Sequence, residues 1–265
     1  MVERCSDPLC PRWLSPFDGN GRSYCDWWFT VNMESKSPNK PASQPQKNCV
    51  VIYLIAYNVA QVIGWSAILF ASISELITYG SYNNLYQSIA PMLYIFQTAA
   101  VLEILHSVTG IVRSNPVLTA FQVYSRVFVL WAVLYSVPVV HNAMSVVLLV
   151  FAWSITEVIR YAFYVFSLVG EVPYALQWCR YSFFIVLYPV GVTGELLSIL
   201  NGLPYVKSYK LYFLELPNAF NISFNFYYFL IITILLYIPI FPQLYLHMFA
   251  QRKKVVGGDG KPKTD

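Results

Sequence analysis

Apolar residues run along most of this chain in long stretches, broken by short polar turns. A helix crosses a bilayer in roughly 20 apolar residues. Six stretches reach that length, at about residues 50–78, 90–112, 116–137, 143–168, 175–200 and 226–249. The breaks carry turn and charge signals: GSYNNLYQS after the first, Arg113-Ser114-Asn115 ahead of Pro116, VPVVHN before the fourth and GEVPY before the fifth. A longer polar and aromatic loop is predicted at 201–225. Lipid offers the backbone no hydrogen-bonding partner, so each stretch is predicted to be helical. The pattern predicts an all-α integral membrane protein, a six-transmembrane-helix bundle over residues 49–250. Residues 1–48 are polar, contain proline and lack a helical period, which predicts a disordered tail. Residues 251–265 form a basic tail.

Composition agrees with a membrane domain. Hydrophobic residues make up 57% of the chain and charged residues only 11%, against roughly 25% charged in a soluble domain. The net charge of +4 matters less than its placement. Six Lys and Arg lie at 1–48 and five at 251–265, whereas the opposite side holds only Lys207 and Lys210. Positive charge collects on the cytoplasmic side, so both termini are predicted to be cytoplasmic. The final KPKTD places Lys261 and Lys263 at the spacing of a dilysine retrieval signal, which predicts an endoplasmic reticulum membrane protein; the plainer reading is a solvated basic tail. The five cysteines form no C-x-x-C pair and have few histidines near them, so zinc binding is not expected. Their odd count and scatter favour free thiols facing a reducing compartment. Walker and dinucleotide-binding loops are absent, and no basic-aromatic surface suggests nucleic acid. A re-entrant filter and paired broken helices, which would suggest a channel or transporter, are also absent.

The polar residues inside the apolar stretches carry the candidate chemistry, because buried ionisable groups in a membrane are costly and mark wet cavities or paired networks. Glu103 and His106 are three apart, close enough to meet on one helical face, and an internal hydrogen-bonded pair is expected. Glu157 and Arg160 have the same spacing and opposite charge, followed by Tyr161 and Tyr164. That pair either fixes helix register or lines a cavity. The fifth stretch is the most unusual: YSFFIVLYPVGVTGELLSIL carries Tyr188, Pro189, Gly191, Gly194 and Glu195. Tyr188 and Glu195 are seven apart and share a helical face, about 10 Å apart along a regular axis. Taken by itself, this helix supports either a packing kink with a satisfied carboxylate or a functional pair.

Several long segments together resemble one family. LEILHSVTGIVRS (102–114), FQVYSRVFVLWAV (121–133), ITEVIRYAFY (155–164), IVLYPVGVTGELL (185–197) and YIPIFPQLYLHM (237–248) are similar to the very-long-chain 3-hydroxyacyl-CoA dehydratases, once called protein-tyrosine-phosphatase-like A proteins. The resemblance covers about residues 50–254. It implies six spans, cytoplasmic termini and residence in the endoplasmic reticulum membrane. It also implies the third step of fatty-acid elongation, in which a (3R)-3-hydroxyacyl-CoA loses water to become a trans-2-enoyl-CoA. The family's catalytic Tyr and Glu carry over onto Tyr188 and Glu195. The elongase, 3-ketoacyl-CoA reductase and enoyl-CoA reductase of the same cycle are the implied partners. Phosphatase activity is not expected, because no His-Cys-x5-Arg loop exists.

Dehydration removes a proton from C2 and protonates the hydroxyl leaving C3, which needs a base and an acid but no cofactor. Glu195 is the expected base and Tyr188 the expected acid, with the reverse assignment open. Glu103, His106, Glu157, Arg160 and Tyr161 are candidates to line the site. Arg113 and Arg180 either pair with CoA phosphates or anchor spans at the headgroups. Two rival classes stay open on the residues alone, a catalytically silent scaffold of the elongation complex and a lipid transporter. Turnover by the purified chain separates both from the enzyme.

Overall fold

The computed structural model describes residues 45–256 apart from 113, 115, 218–220 and 222. The tail expected at 1–48 and the dilysine pattern lie almost wholly outside the described residues. Among the described residues eight α-helices follow in order: α1 Pro45–Tyr79, α2 Leu85–Ala99, α3 Val101–Val108, α4 Pro116–Phe128, α5 Met144–Val169, α6 Tyr174–Ser182, α7 Phe184–Ser208 and α8 Phe226–Val256. No strand occurs among the described residues beyond one isolated antiparallel bridge, Leu214 with Phe224, in the connection from α7 to α8.

Five segments are long and apolar enough to cross a membrane: Cys49–Tyr79, Leu85–Val108, Met144–Val169, Phe184–Ser208 and Phe226–Lys253. The protein is thus a multi-pass helical membrane protein. The third expected span is shorter. Its apolar part, Thr119–Tyr135, turns from α-helix into a π-helix at Val129–Tyr135. Seventeen residues rise only about 25 Å, against a hydrocarbon core of roughly 30 Å. The fourth span occupies α5, and the fifth is divided into α6 and α7 around Phe183.

The loop expected at 201–225 is helical for its first turns, since α7 continues to Ser208. Apolar residues keep facing the protein there: Val206 is buried, and Gly202 approaches Val137 and Val140. That packing outweighs the polar and proline signals of the segment.

The bundle is organised around α5, which packs most extensively against α1 on one side and α7 on another. Half of its most apolar stretch is buried, compared with 6% for α8. Small residues set the α5–α7 approach, as is common where lipid provides no hydrophobic drive for helix association. A Cβ at Gly194 would lie 2.7 Å from the Leu149 amide nitrogen and 2.9 Å from the Ser145 carbonyl oxygen. One turn on, Ser198 Oγ donates to Ser145 Oγ at 3.0 Å. The face Gly191–Gly194–Ser198 therefore brings the α7 backbone against α5, and with it the next residue, Glu195.

Candidate active site

Glu195 is 7% exposed, deep between three helices. Burying a carboxylate is costly unless its oxygens find donors, and here each oxygen has one. Trp153 Nε1, from α5, donates to Oε1 at 2.9 Å. The Tyr237 hydroxyl, from α8, donates to Oε2 at 2.7 Å. Both donors are neutral. Arg126 on α4 acts on Glu195 through space rather than by contact.

Tyr188 sits two turns earlier on α7. Its ring stacks on Phe241, with centroids 5.1 Å apart and planes 5° from parallel, and on Tyr245 at 6.0 Å and 9°. Tyr245 in turn donates to the Ile185 carbonyl oxygen at 2.9 Å. Stacking fixes the Tyr188 ring. Its hydroxyl makes no hydrogen bond among the described residues, which leaves it available to a ligand. Tyr237, Phe241 and Tyr245 follow at intervals of four, so one stripe of α8 holds both Tyr188 and Glu195.

A second polar cluster lies on α3, α4 and α5. The Arg160 guanidinium forks onto Glu103, with Nη1–Oε2 at 2.8 Å and Nη2–Oε1 at 3.0 Å. Its Nε donates to Glu157 Oε2 at 2.7 Å. The other Glu157 oxygen pairs with Arg126, and the Tyr161 hydroxyl donates to Glu103. Two carboxylates and two guanidiniums thus balance in a region where an unpaired charge would be prohibitive. Removing one partner of such a pair typically costs about 3–5 kcal/mol.

The expected internal pair of Glu103 with His106 is not formed. Arg160 reaches Glu103 across the helix packing and takes both its oxygens, while His106 Nε2 meets the Tyr53 hydroxyl at 2.9 Å. A bidentate guanidinium outcompetes a neutral imidazole for a buried carboxylate. Tyr57 sits edge-on between the His106 and Tyr161 rings, so His106 still borders the cluster.

Of the site residues expected from the sequence, Glu103, Glu157, Arg160 and Tyr161 converge directly. Arg180 makes no ion pair with them, but its guanidinium rests on the Phe163 and Tyr164 rings, and the Tyr164 ring also lies within reach of Arg160. Arg113 lies outside the described residues. The apolar pattern singles out neither Trp153 nor Tyr237, and it leaves Arg126 outside the expected site. Two signals pointed to them. A buried indole N–H or phenol usually finds a partner, and three intramembrane glutamates outnumber the nearby arginines unless Arg126 is counted. Among the described residues, no three His, Cys, Asp or Glu side chains gather as a metal site.

The fold and these contacts define a multi-pass helical membrane protein whose α7 carries a buried carboxylate held by neutral donors and a phenol without a hydrogen-bond partner among the described residues. The model of the protein tyrosine phosphatase-like protein family, PTPLA, matches residues 97–258. The chain is 53% identical over 204 residues to human very-long-chain (3R)-3-hydroxyacyl-CoA dehydratase 2, covering 77% of this chain and 80% of that one. It is 47% identical over 215 residues to the Caenorhabditis elegans dehydratase hpo-8, covering 81% and 99%. It is 42% identical over 206 residues to the Arabidopsis thaliana dehydratase PASTICCINO 2, covering 77% and 93%. No solved structure matches the chain. The chain belongs to the PTPLA family.

Proposed function

We infer that this chain dehydrates very-long-chain (3R)-3-hydroxyacyl-CoA to trans-2-enoyl-CoA, as its curated relatives are named for doing. The observation that carries the reading is the Glu195 carboxylate, which accepts at both oxygens from neutral donors only, two turns along α7 from a phenol whose hydroxyl has no hydrogen-bond partner among the described residues. An acceptor held this way is equipped to take a proton. Glu195 removes the C2 proton, and the C–H electrons become the C2=C3 double bond. The C3–O bond breaks, and its oxygen takes the Tyr188 proton and leaves as water. Glu195 is then protonated and Tyr188 ionised, and return of the proton from one to the other resets the site.

The acyl chain lies between helices in the apolar interior, and the polyanionic CoA head stays at the cytoplasmic mouth. Arg180, at the start of the fifth span, and Arg113, between α3 and α4 in sequence, meet its phosphates. Glu103, His106, Glu157, Arg160 and Tyr161 border the site through Arg126. Thr119–Tyr135 completes six spans with both termini cytoplasmic, in the endoplasmic reticulum membrane. The residues at 1–48 and 251–265 are cytoplasmic tails. The substrate must be supplied by a 3-ketoacyl-CoA reductase acting on an elongase product, and an enoyl-CoA reductase must consume the product. These enzymes are the natural membrane partners.

The test is turnover of a long-chain (3R)-3-hydroxyacyl-CoA by the purified chain. Tyr188→Phe and Glu195→Gln, folded as judged by thermal melting, each lower kcat by about 100-fold or more, the scale of general acid–base catalysis. Full activity in both variants removes the assignment. Inactivity of the unaltered chain, with its lipids and partners present, favours a scaffold instead.

A further inference from the structure

Resting on the reading of Glu195 as the base, we propose that Tyr237 is its positioning residue: a hydroxyl carried by the last helix that, with Trp153, orients the carboxylate for proton abstraction. Three observations converge on it. The Tyr237 hydroxyl lies 2.7 Å from Oε2, and the Trp153 indole lies 2.9 Å from Oε1. Two donors on opposite oxygens fix the plane of the carboxylate. A carboxylate offers about four lone-pair sites, so acceptor capacity remains for the C2 proton in a defined direction.

The second observation is where the donors come from. Trp153 belongs to α5, at the centre of the bundle, and Tyr237 to α8, whose apolar stretch is only 6% buried. A helix that peripheral needs no buried hydroxyl to satisfy its own backbone, yet Tyr237 is directed at a buried carboxylate. The third is the stripe below it. Phe241 and Tyr245 stack on Tyr188, and Tyr245 ties to the α7 backbone. The same face of α8 therefore restrains the Tyr188 ring by stacking and donates a hydrogen bond to Glu195 but none to Tyr188. Glu195 is held by hydrogen bonds, whereas Tyr188 is held only by its ring and keeps its hydroxyl free. Pro239 and Pro242 interrupt the α8 hydrogen-bond ladder beside the stripe, so α8 has a built-in site of bending.

The experiment uses the full chain in detergent and compares Tyr237→Phe, Trp153→Phe and Glu195→Gln. Tyr237→Phe keeps the ring and removes only the donor. The expected result is a kcat about 100-fold lower, the cost of a misplaced reacting group, with KM within about twofold and a melting temperature lowered only by the loss of one buried hydrogen bond, the variant staying folded at the assay temperature. Trp153→Phe behaves alike. An infrared difference spectrum against Glu195→Gln isolates the Glu195 carboxylate band, and that band shifts in Tyr237→Phe. An unchanged kcat, or a loss of rate without a band shift, overturns the positioning role while leaving Glu195 as base. Wild-type turnover by Glu195→Gln overturns the base itself, and this inference with it.

Discussion

Arg180 sits with its guanidinium over the faces of Phe163 and Tyr164, 4.4 and 4.9 Å from the ring centroids. Its Nη1 is buried without a hydrogen-bond partner among the described residues. A cation–π contact returns about 0.5–2 kcal/mol, whereas a buried unmade hydrogen bond costs about 1–3 kcal/mol. This buried donor supports the phosphate role proposed for Arg180. Arg180→Gln is expected to raise the KM for an acyl-CoA about tenfold with little change in kcat, the size of one charge-assisted hydrogen bond. Steady-state kinetics at fixed detergent concentration check this, and an unchanged KM assigns Arg180 to membrane anchoring. At this scale the sequence showed which residues are chemically capable, since an ionisable group in an apolar run stands out. It did not show which of them meet. Glu103 has His106 at ideal helical spacing and pairs with Arg160 instead, 57 positions away.

The contact between α5 and α7 depends on Gly194. Any side chain there meets the α5 backbone at Leu149 and Ser145, which cannot swing aside as a flexible side chain would. Gly191 faces the Ala152 Cβ instead, where an added methyl would find ordinary contact at 3.4 Å. Gly194→Leu is expected to lower thermal stability, overpacking costing about 1–3 kcal/mol, and to abolish turnover by moving Glu195 away from Trp153. Gly191→Ala keeps most of both. Thermal melting and activity measured on the two variants together separate these outcomes. The helices themselves were legible from the apolar runs, because lipid leaves the backbone no alternative. Their breaks were less so. Nothing in VLWAVLY marks a π-helix, and the continuation of α7 past Leu200 is set by Val137 and Val140, which are distant in sequence.

For the molecule as a whole, the open element is Thr119–Tyr135. Five long spans place the termini on opposite sides of the membrane; six place them on the same side. Epitope tags at both ends are expected to be cut by protease added to intact microsomes. Protection of either tag leaves Thr119–Tyr135 short of crossing. Arg126, in the middle of that helix, is paired with Glu157 of α5, which is how a cation is tolerated at depth. The sequence by itself determined the class of molecule, the rough number and place of its helices, and the pairing of Tyr188 and Glu195 on one face. These follow from local rules, namely the length of apolar runs, the helical period and the cost of a charge in lipid. Only the tertiary structure decided that Trp153 and Tyr237 hold Glu195, that Arg160 reaches Glu103, and that one stripe of α8 contacts both Tyr188 and Glu195. Those contacts join residues 42 to 57 positions apart. Helix packing creates such proximity, and helical period alone carries no information about it.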